Sequence, residues 1–163
     1  MRLLIFTEGT ILMHKQGLGY TREEIIKQVK KNLESVSDFK TYIPIGGAVN
    51  KLRKWVDQGL EILYLTSRTQ IFEIDQITEV LKKNNFPTGI IVFRQNKETY
   101  KNVVERIIPD LLVEDDCESI GGKDKLSITH VKSEIKQKIK SIIIKEFNGI
   151  DHLPNNINSL LEY

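Results

Sequence analysis

The stretch LEILYLTSRTQIFEIDQITEVLKK, residues 60–83, carries the pattern that decides the fold class. Leu60 to Leu65 is a short apolar run that stops at Thr66-Ser67-Arg68, which reads as a strand ending in a polar loop. After it, Ile74, Ile77, Val80 and Leu81 recur at helical spacing, which predicts a helix over about 71–83. Working outward, the same alternation repeats. Upstream, RLLIF (2–6) is a buried strand that ends at Glu8-Gly9-Thr10, and Thr21 with Glu24 forms a capping box for a helix over about 22–34 with Ile25, Ile26, Val29 and Leu33 on one face. Pro44 and Gly46-Gly47 interrupt the pattern before a second helix built on Ala48, Val49, Leu52, Trp55 and Val56, which Gly59 terminates.

Downstream, GIIVF (89–93) is a strand, a helix runs over about 97–107, and Leu111–Val113 is a strand ending at Glu114-Asp115-Asp116. A loop through Gly121-Gly122, a short strand near 126–129, a helix near 131–140, a strand at 141–145 and a terminal helix from near Pro154 complete the chain. Strands alternating with helices imply crossover units and a mainly parallel sheet covered on both faces. The expectation is one doubly wound α/β domain, a three-layer sandwich, over residues 1–163.

Composition narrows the function. The 163 residues carry 24 basic and 22 acidic side chains, a formal charge of +2, so no strong field draws the chain to nucleic acid or anionic lipid. Seven lysines fall between Lys123 and Lys145, but without arginine or aromatic residues among them they read as a solvated face, and no nucleic acid is expected. The apolar runs fall far short of the roughly 20 residues that cross a bilayer. No signal-like segment opens the chain, so no membrane association and a cytoplasmic location are expected. A single cysteine, Cys117, and the scattered His14, His130 and His152 offer neither a disulfide nor a zinc site.

In open parallel sheets ligands bind beyond the carboxyl ends of the strands. Three polar clusters fall there: Thr7-Glu8-Gly9-Thr10, Thr66-Ser67-Arg68 and Glu114-Asp115-Asp116. Adjacent carboxylates at Asp115 and Asp116 suit a hard cation such as Mg²⁺, the alternative being a helix cap. Thr66 and Ser67 offer hydroxyl and backbone donors ahead of a helix N-terminus, which suits a phosphate, with capping again the alternative.

The order of LLIFTEGTIL, IGGAVNKLRKWVDQGLEILYLTSR (45–68) and YKNVVERIIPDLLVEDDCESIGG (100–122) resembles the haloacid dehalogenase (HAD) superfamily, and is similar to a small uncharacterised branch of it. The resemblance implies a phosphohydrolase-type protein that acts with Mg²⁺ on a phosphorylated small molecule or macromolecule. It places the phosphoryl-holding threonine on Thr66, beside Ser67. The metal ligands fall on Asp115 and Asp116, and the phosphate-neutralising lysine on Lys101, with Lys97 as the alternative. Residues 13–43 fall where the family inserts a cap; so short a cap leaves the lid to one helix or to a neighbouring copy in a homodimer.

The first motif departs from the family's Asp-x-Asp-Gly-Thr. Aligning Gly9-Thr10 puts Phe6 where the family's aspartate nucleophile stands and Glu8 at its proton-shuttling aspartate. Phe6 has no carboxylate to form an acyl phosphate. Glu8 remains a candidate general acid/base, or a base that activates water beside a metal; it also reads as a loop cap or lysine partner. The alternative to an enzyme is a catalytically inactive HAD fold that keeps the cleft for ligand binding or protein interaction.

Overall fold

A computed structural model describes all of residues 1–163. Its elements, in chain order, are β1 (Arg2–Phe6), β2 (Leu12–Met13), α1 (Arg22–Lys30), α2 (Glu34–Ser37), β3 (Ile43–Pro44), α3 (Ala48–Val56), β4 (Glu61–Leu65), α4 (Ile71–Lys83), β5 (Ile90–Val92), α5 (Tyr100–Ile107), β6 (Leu111–Asp115), α6 (Ser127–His130), α7 (Ser133–Lys136), β7 (Lys140–Ile144) and α8 (Ile157–Glu162).

Five strands form a parallel sheet in the order β5-β4-β1-β6-β7. The first strand is therefore central: the chain builds outward on one side through β4 and β5, then crosses back to place β6 and β7 on the other. That reversal leaves a crevice at the carboxyl end of β1, between β4 and β6.

The two-residue period of a strand sorts the side chains between two cores. Leu3, Ile5, Ile62, Tyr64, Leu111, Val113, Ile142 and Ile144 meet Ala48, Leu52 and Trp55 of α3, Ile77, Val80 and Leu81 of α4 and Leu160 of α8. The opposite face sends Leu4, Leu63, Leu65 and Leu112 against Val103 and Val104 of α5, Ile128 of α6, and Val131 and Ile139. The three-layer α/β reading holds.

Several elements differ from the sequence expectation. Helix α1 forms the expected capping box but ends at Lys30, since Asn32 adopts φ +49° and turns the chain. Helix α5 starts at Tyr100 rather than 97, because Thr99 and Asn102 cap it reciprocally; Lys97, at φ +63°, lies in the loop before it. The short strand expected at 126–129 is helical. Ser127 N–H and Oγ both donate to Glu114 Oε2 at 2.8 Å and Ile128 N–H to Oε1 at 3.1 Å, so a buried carboxylate gathers the free amides that open a helical turn. The helix expected at 131–140 shrinks to the single turn of α7.

Residues 14–42 leave and re-enter the domain through a two-stranded antiparallel ribbon, in which Leu12 pairs with Pro44 and Met13 with Ile43. No helix is long and apolar enough to cross a membrane.

Candidate functional site

The site starts at the loop after β1. Thr7 N–H continues the ladder to Leu65 O, while Thr7 O accepts from Ile11 and Leu12, so the backbone folds back on itself within five residues. Gly9 sits at the apex with φ +82°, and a Cβ there would lie 2.8 Å from Asp115 Oδ2. Glycine is required here both for the conformation and for the approach of the loop to β6.

Glu8, on this loop, is gripped from two strands. Thr66 Oγ1 donates to Glu8 Oε1 at 2.6 Å, Ser67 N–H to Oε2 at 3.1 Å and Thr7 Oγ1 to Oε2 at 2.5 Å. Arg68 Nε lies 3.5 Å from Oε1, and its guanidinium stacks over Phe39, a residue of the 14–42 segment, at 4.4 Å. Thr66, Ser67 and Arg68 thus form one donor set at the end of β4, and Glu8 fills it.

On the other side of β1, strand alternation separates the two acidic neighbours of β6. Glu114 points to the face that holds α6, whereas Asp115 points to the loop: Thr10 Oγ1 donates to its Oδ2 at 3.1 Å and Cys117 N–H to its Oδ1 at 2.9 Å. Asp115, Asp116 and Glu146 each place one carboxylate oxygen so that the three lie within 4.8 Å of one another. Burial, and then the nearby Glu146 carboxylate, push the Asp115 carboxyl up to about 7. Burial also raises Glu146, against the hydrogen bonds from Ser119 that lower it.

A single cation neutralises part of this group. Arg22, at the start of α1, places Nη2 3.4 Å from both Asp116 oxygens and 2.6 Å from Glu118, and donates through Nε to the backbone oxygen of Glu146 at 2.8 Å. Of the three carboxylates only Asp116 meets that guanidinium, which Glu118 also engages, while Asp115 and Glu146, both shifted upward, have no cation against their carboxylate oxygens. An all-oxygen donor set with an unbalanced negative charge suits Mg²⁺, and the residues fit it.

Ser67 and Arg68 of the donor set and Asp115 and Glu146 of the acidic group line one cavity of about 560 Å³, within the range of small-molecule sites; Thr66 and Asp116 adjoin them but are not part of its wall. Glu8, Ser67, Asp115 and Glu146 line its polar floor; Phe6 and Tyr100 form one wall; Val29, Val36, Phe39 and Tyr42 of the 14–42 segment form another. Its cations are Arg68, Arg94 and Lys125.

The structure therefore brings together Glu8, Thr66, Ser67, Asp115 and Asp116. Lys101 stands apart: its Nζ lies 3.6 Å from Glu105 on the same helix, and it is not part of the cavity wall. Lys97 is likewise exposed and outside the wall. Glu146 and Arg94 were missed by sequence reasoning. Each lies two residues beyond a sheet strand, β7 and β5, so the strand-end rule that picked the other clusters also points to them. Burial first, then the surrounding carboxylates, push the Cys117 thiol up, which disfavours its thiolate. His14 is buried, with Nε2 2.6 Å from Gln28 Oε1.

A family model described as "PITM 1-3, LNS2 domain" matches residues 27–109. The matched stretch runs from the second half of α1 through α5, with Thr66, Ser67 and Arg68, while Glu8, Asp115, Asp116 and Glu146 lie outside it. Comparison with curated protein sequences finds no match. Among solved structures, a class C acid phosphatase from Bacillus anthracis with tungstate bound is 17% identical at a TM-score of 0.53, over 91% of this chain and 68% of that one. A D,D-heptose 1,7-bisphosphate phosphatase from Burkholderia thailandensis is 9% identical (TM-score 0.48, 90% and 93% covered). Its B. bronchiseptica counterpart, complexed with magnesium and phosphate, is 8% identical (0.47, 91% and 94%). At 17% identity the likeness to the acid phosphatase is one of fold.

Proposed function

The chain belongs to the LNS2 domain family and has the fold of the HAD-like phosphatases; from that premise we propose that it is a phosphohydrolase-type protein, holding a phosphorylated ligand together with Mg²⁺ in the cavity at the strand ends. One observation carries the reading. The carboxylates Asp115 and Glu146, within reach of Asp116, and the Ser67 and Arg68 donors, backed by Thr66, stand on either side of β1, and these four line the same cavity.

Asp115, Asp116 and Glu146 hold the cation, which when bound supplies charge neutralisation and Lewis acidity to the phosphoryl oxygens. For a phosphoryl group to bind there Glu8 gives way: Ser67 N–H and Thr66 Oγ turn from its carboxylate to the phosphoryl oxygens, and Arg68 balances their charge. The phosphate-facing cation is thus Arg68 rather than Lys101. With phenylalanine at position 6, no carboxylate stands there to form an acyl phosphate, so water attacks phosphorus directly. Its proton passes to Glu8 while the bond from phosphorus to the leaving oxygen breaks; that oxygen takes the electron pair and then the proton from Glu8, which returns to the carboxylate. The cavity's volume favours a phosphorylated small molecule over a macromolecule.

The grip on Glu8 favours a second reading. Its carboxylate already satisfies Thr66, Ser67 and Arg68, as a resident anion would, and a protein so arranged binds ligand without turning it over. Purified protein assayed with Mg²⁺ on a broad phosphomonoester panel separates the two. Phosphate release that Asp115→Asn abolishes supports hydrolysis. Saturable, Mg²⁺-dependent binding of tungstate or inorganic phosphate without release supports the binding module. Neither release nor binding overturns both.

A further inference from the structure

Arg94 lies just past the carboxyl end of β5 and lines the cavity. Its guanidinium carbon sits 4.5 Å above the ring of Tyr100, and Tyr100 is met edge-on by Phe6 at 5.1 Å between centroids and 69° between planes. The side chain at the family's nucleophile position thus props the ring that carries Arg94.

The stacked guanidinium has no acidic partner. None of the chain's ion pairs involves it, and its Nε is buried without an acceptor. Arg68, by contrast, is engaged by Glu8 and by Ser67 Oγ at 2.7 Å. A desolvated donor with no partner is costly in a folded protein, and a planar fork fixed on an aromatic ring is preorganised to receive two oxygens of one oxyanion.

We propose that Arg94 is the receptor for a second oxyanion on the ligand, so that the cavity selects phosphomonoesters that also carry a carboxylate or another phosphate. This rests on the reading of the same cavity as a phosphoryl site. Phe6 and Tyr100 act as positioning residues for it.

Binding titrations at saturating Mg²⁺ test the proposal with two matched pairs: 3-phosphoglycerate against glycerol 3-phosphate, and fructose 1,6-bisphosphate against fructose 6-phosphate. The first offers a carboxylate at short span and the second a phosphate at long span. In at least one pair the doubly anionic member binds tenfold or more tightly, about the strength of a charge-assisted bidentate contact. Arg94→Met brings that ratio to about one while leaving inorganic phosphate binding unchanged, Arg94→Lys restores part of it, and Lys125→Met leaves it intact. Ratios near one in both pairs for the unaltered protein overturn the proposal without recourse to any variant. So does a ratio that Arg94→Met leaves unchanged, or one that Lys125→Met removes. If inorganic phosphate itself fails to bind, the phosphoryl reading falls and this inference falls with it.

Discussion

Replacing Asp115 by asparagine should make the metal-free protein more stable at pH 8. The carboxyl is 7% exposed, and burial beside Glu146 moves it from the ordinary 3.8 to about 7. Between those values the folded chain holds a proton that the unfolded chain has released, so stability falls as pH rises. The loss is absent below about pH 4 and complete above about pH 8. At 1.36 kcal/mol per tenfold change in proton affinity, its ceiling is about 4 kcal/mol.

Asparagine keeps the shape. Its carbonyl still accepts from Cys117 N–H, and its amide donates to a Thr10 hydroxyl turned to receive it. For a domain of this size about 4 kcal/mol corresponds to a rise in Tm of roughly 8–16 °C. Thermal melts in EDTA at pH 5 and pH 8, for the unaltered protein and Asp115→Asn, read the effect as a difference between the two chains, in which carboxylates common to both cancel. The variant should melt higher at pH 8, and its advantage should shrink at pH 5. Mg²⁺ at a hundredfold excess over its Kd should raise the unaltered protein by about 2.7 kcal/mol and the variant far less. A variant that melts at or below the unaltered protein at pH 8, or an advantage independent of pH, refutes the account of Asp115 as a carboxylate held in place for a cation.

Glu8→Ala should free the Thr66, Ser67 and Arg68 donors and remove a negative charge beside them, strengthening Mg²⁺-dependent tungstate binding several-fold by calorimetry; in the hydrolytic reading it also lowers phosphate release about 10²–10⁴-fold. Gly9→Ala meets both a φ of +82° and a 2.8 Å approach to Asp115 Oδ2, so denaturant melts should show a loss of about 1–3 kcal/mol and titration a weaker response to Mg²⁺. Arg22→Ala unfastens α1 from Asp116 and Glu146, and amide exchange within residues 14–42 should quicken while that of β1 and β4 is unchanged.

The sheet was legible because buried parallel strands are short apolar runs with abrupt polar ends. RLLIF and LEILYL mark their own limits to within a residue. The region 122–139 was not legible. Its helical turns depend on the Glu114 carboxylate arriving from a strand thirteen residues earlier, and no local pattern announces such a cap. Of the candidate site, Thr66 and Asp115 stand out in the sequence by their places at strand ends. Glu146 hides in SIIIKEF as one charged residue beyond a strand, and its meaning comes from Asp115↔Ile144 pairing, which sets it beside β6. Arg94 needed the stack with Tyr100 to stand out from an ordinary loop arginine. Lys101 illustrates the reverse: a residue placed by family resemblance sits on the proper helix but turns to Glu105.

The ribbon that joins Leu12 to Pro44 and Met13 to Ile43 makes residues 14–42 a cassette. Both ends are anchored in adjacent rungs, so the sheet does not register how much chain lies between them. Doubling the length of a flexible insertion costs only about 0.6 kcal/mol in closure entropy. Variation in what the cavity admits can therefore accumulate in the wall bearing Val29, Val36 and Phe39, while the strand ends that carry the charged groups stay where the parallel sheet puts them.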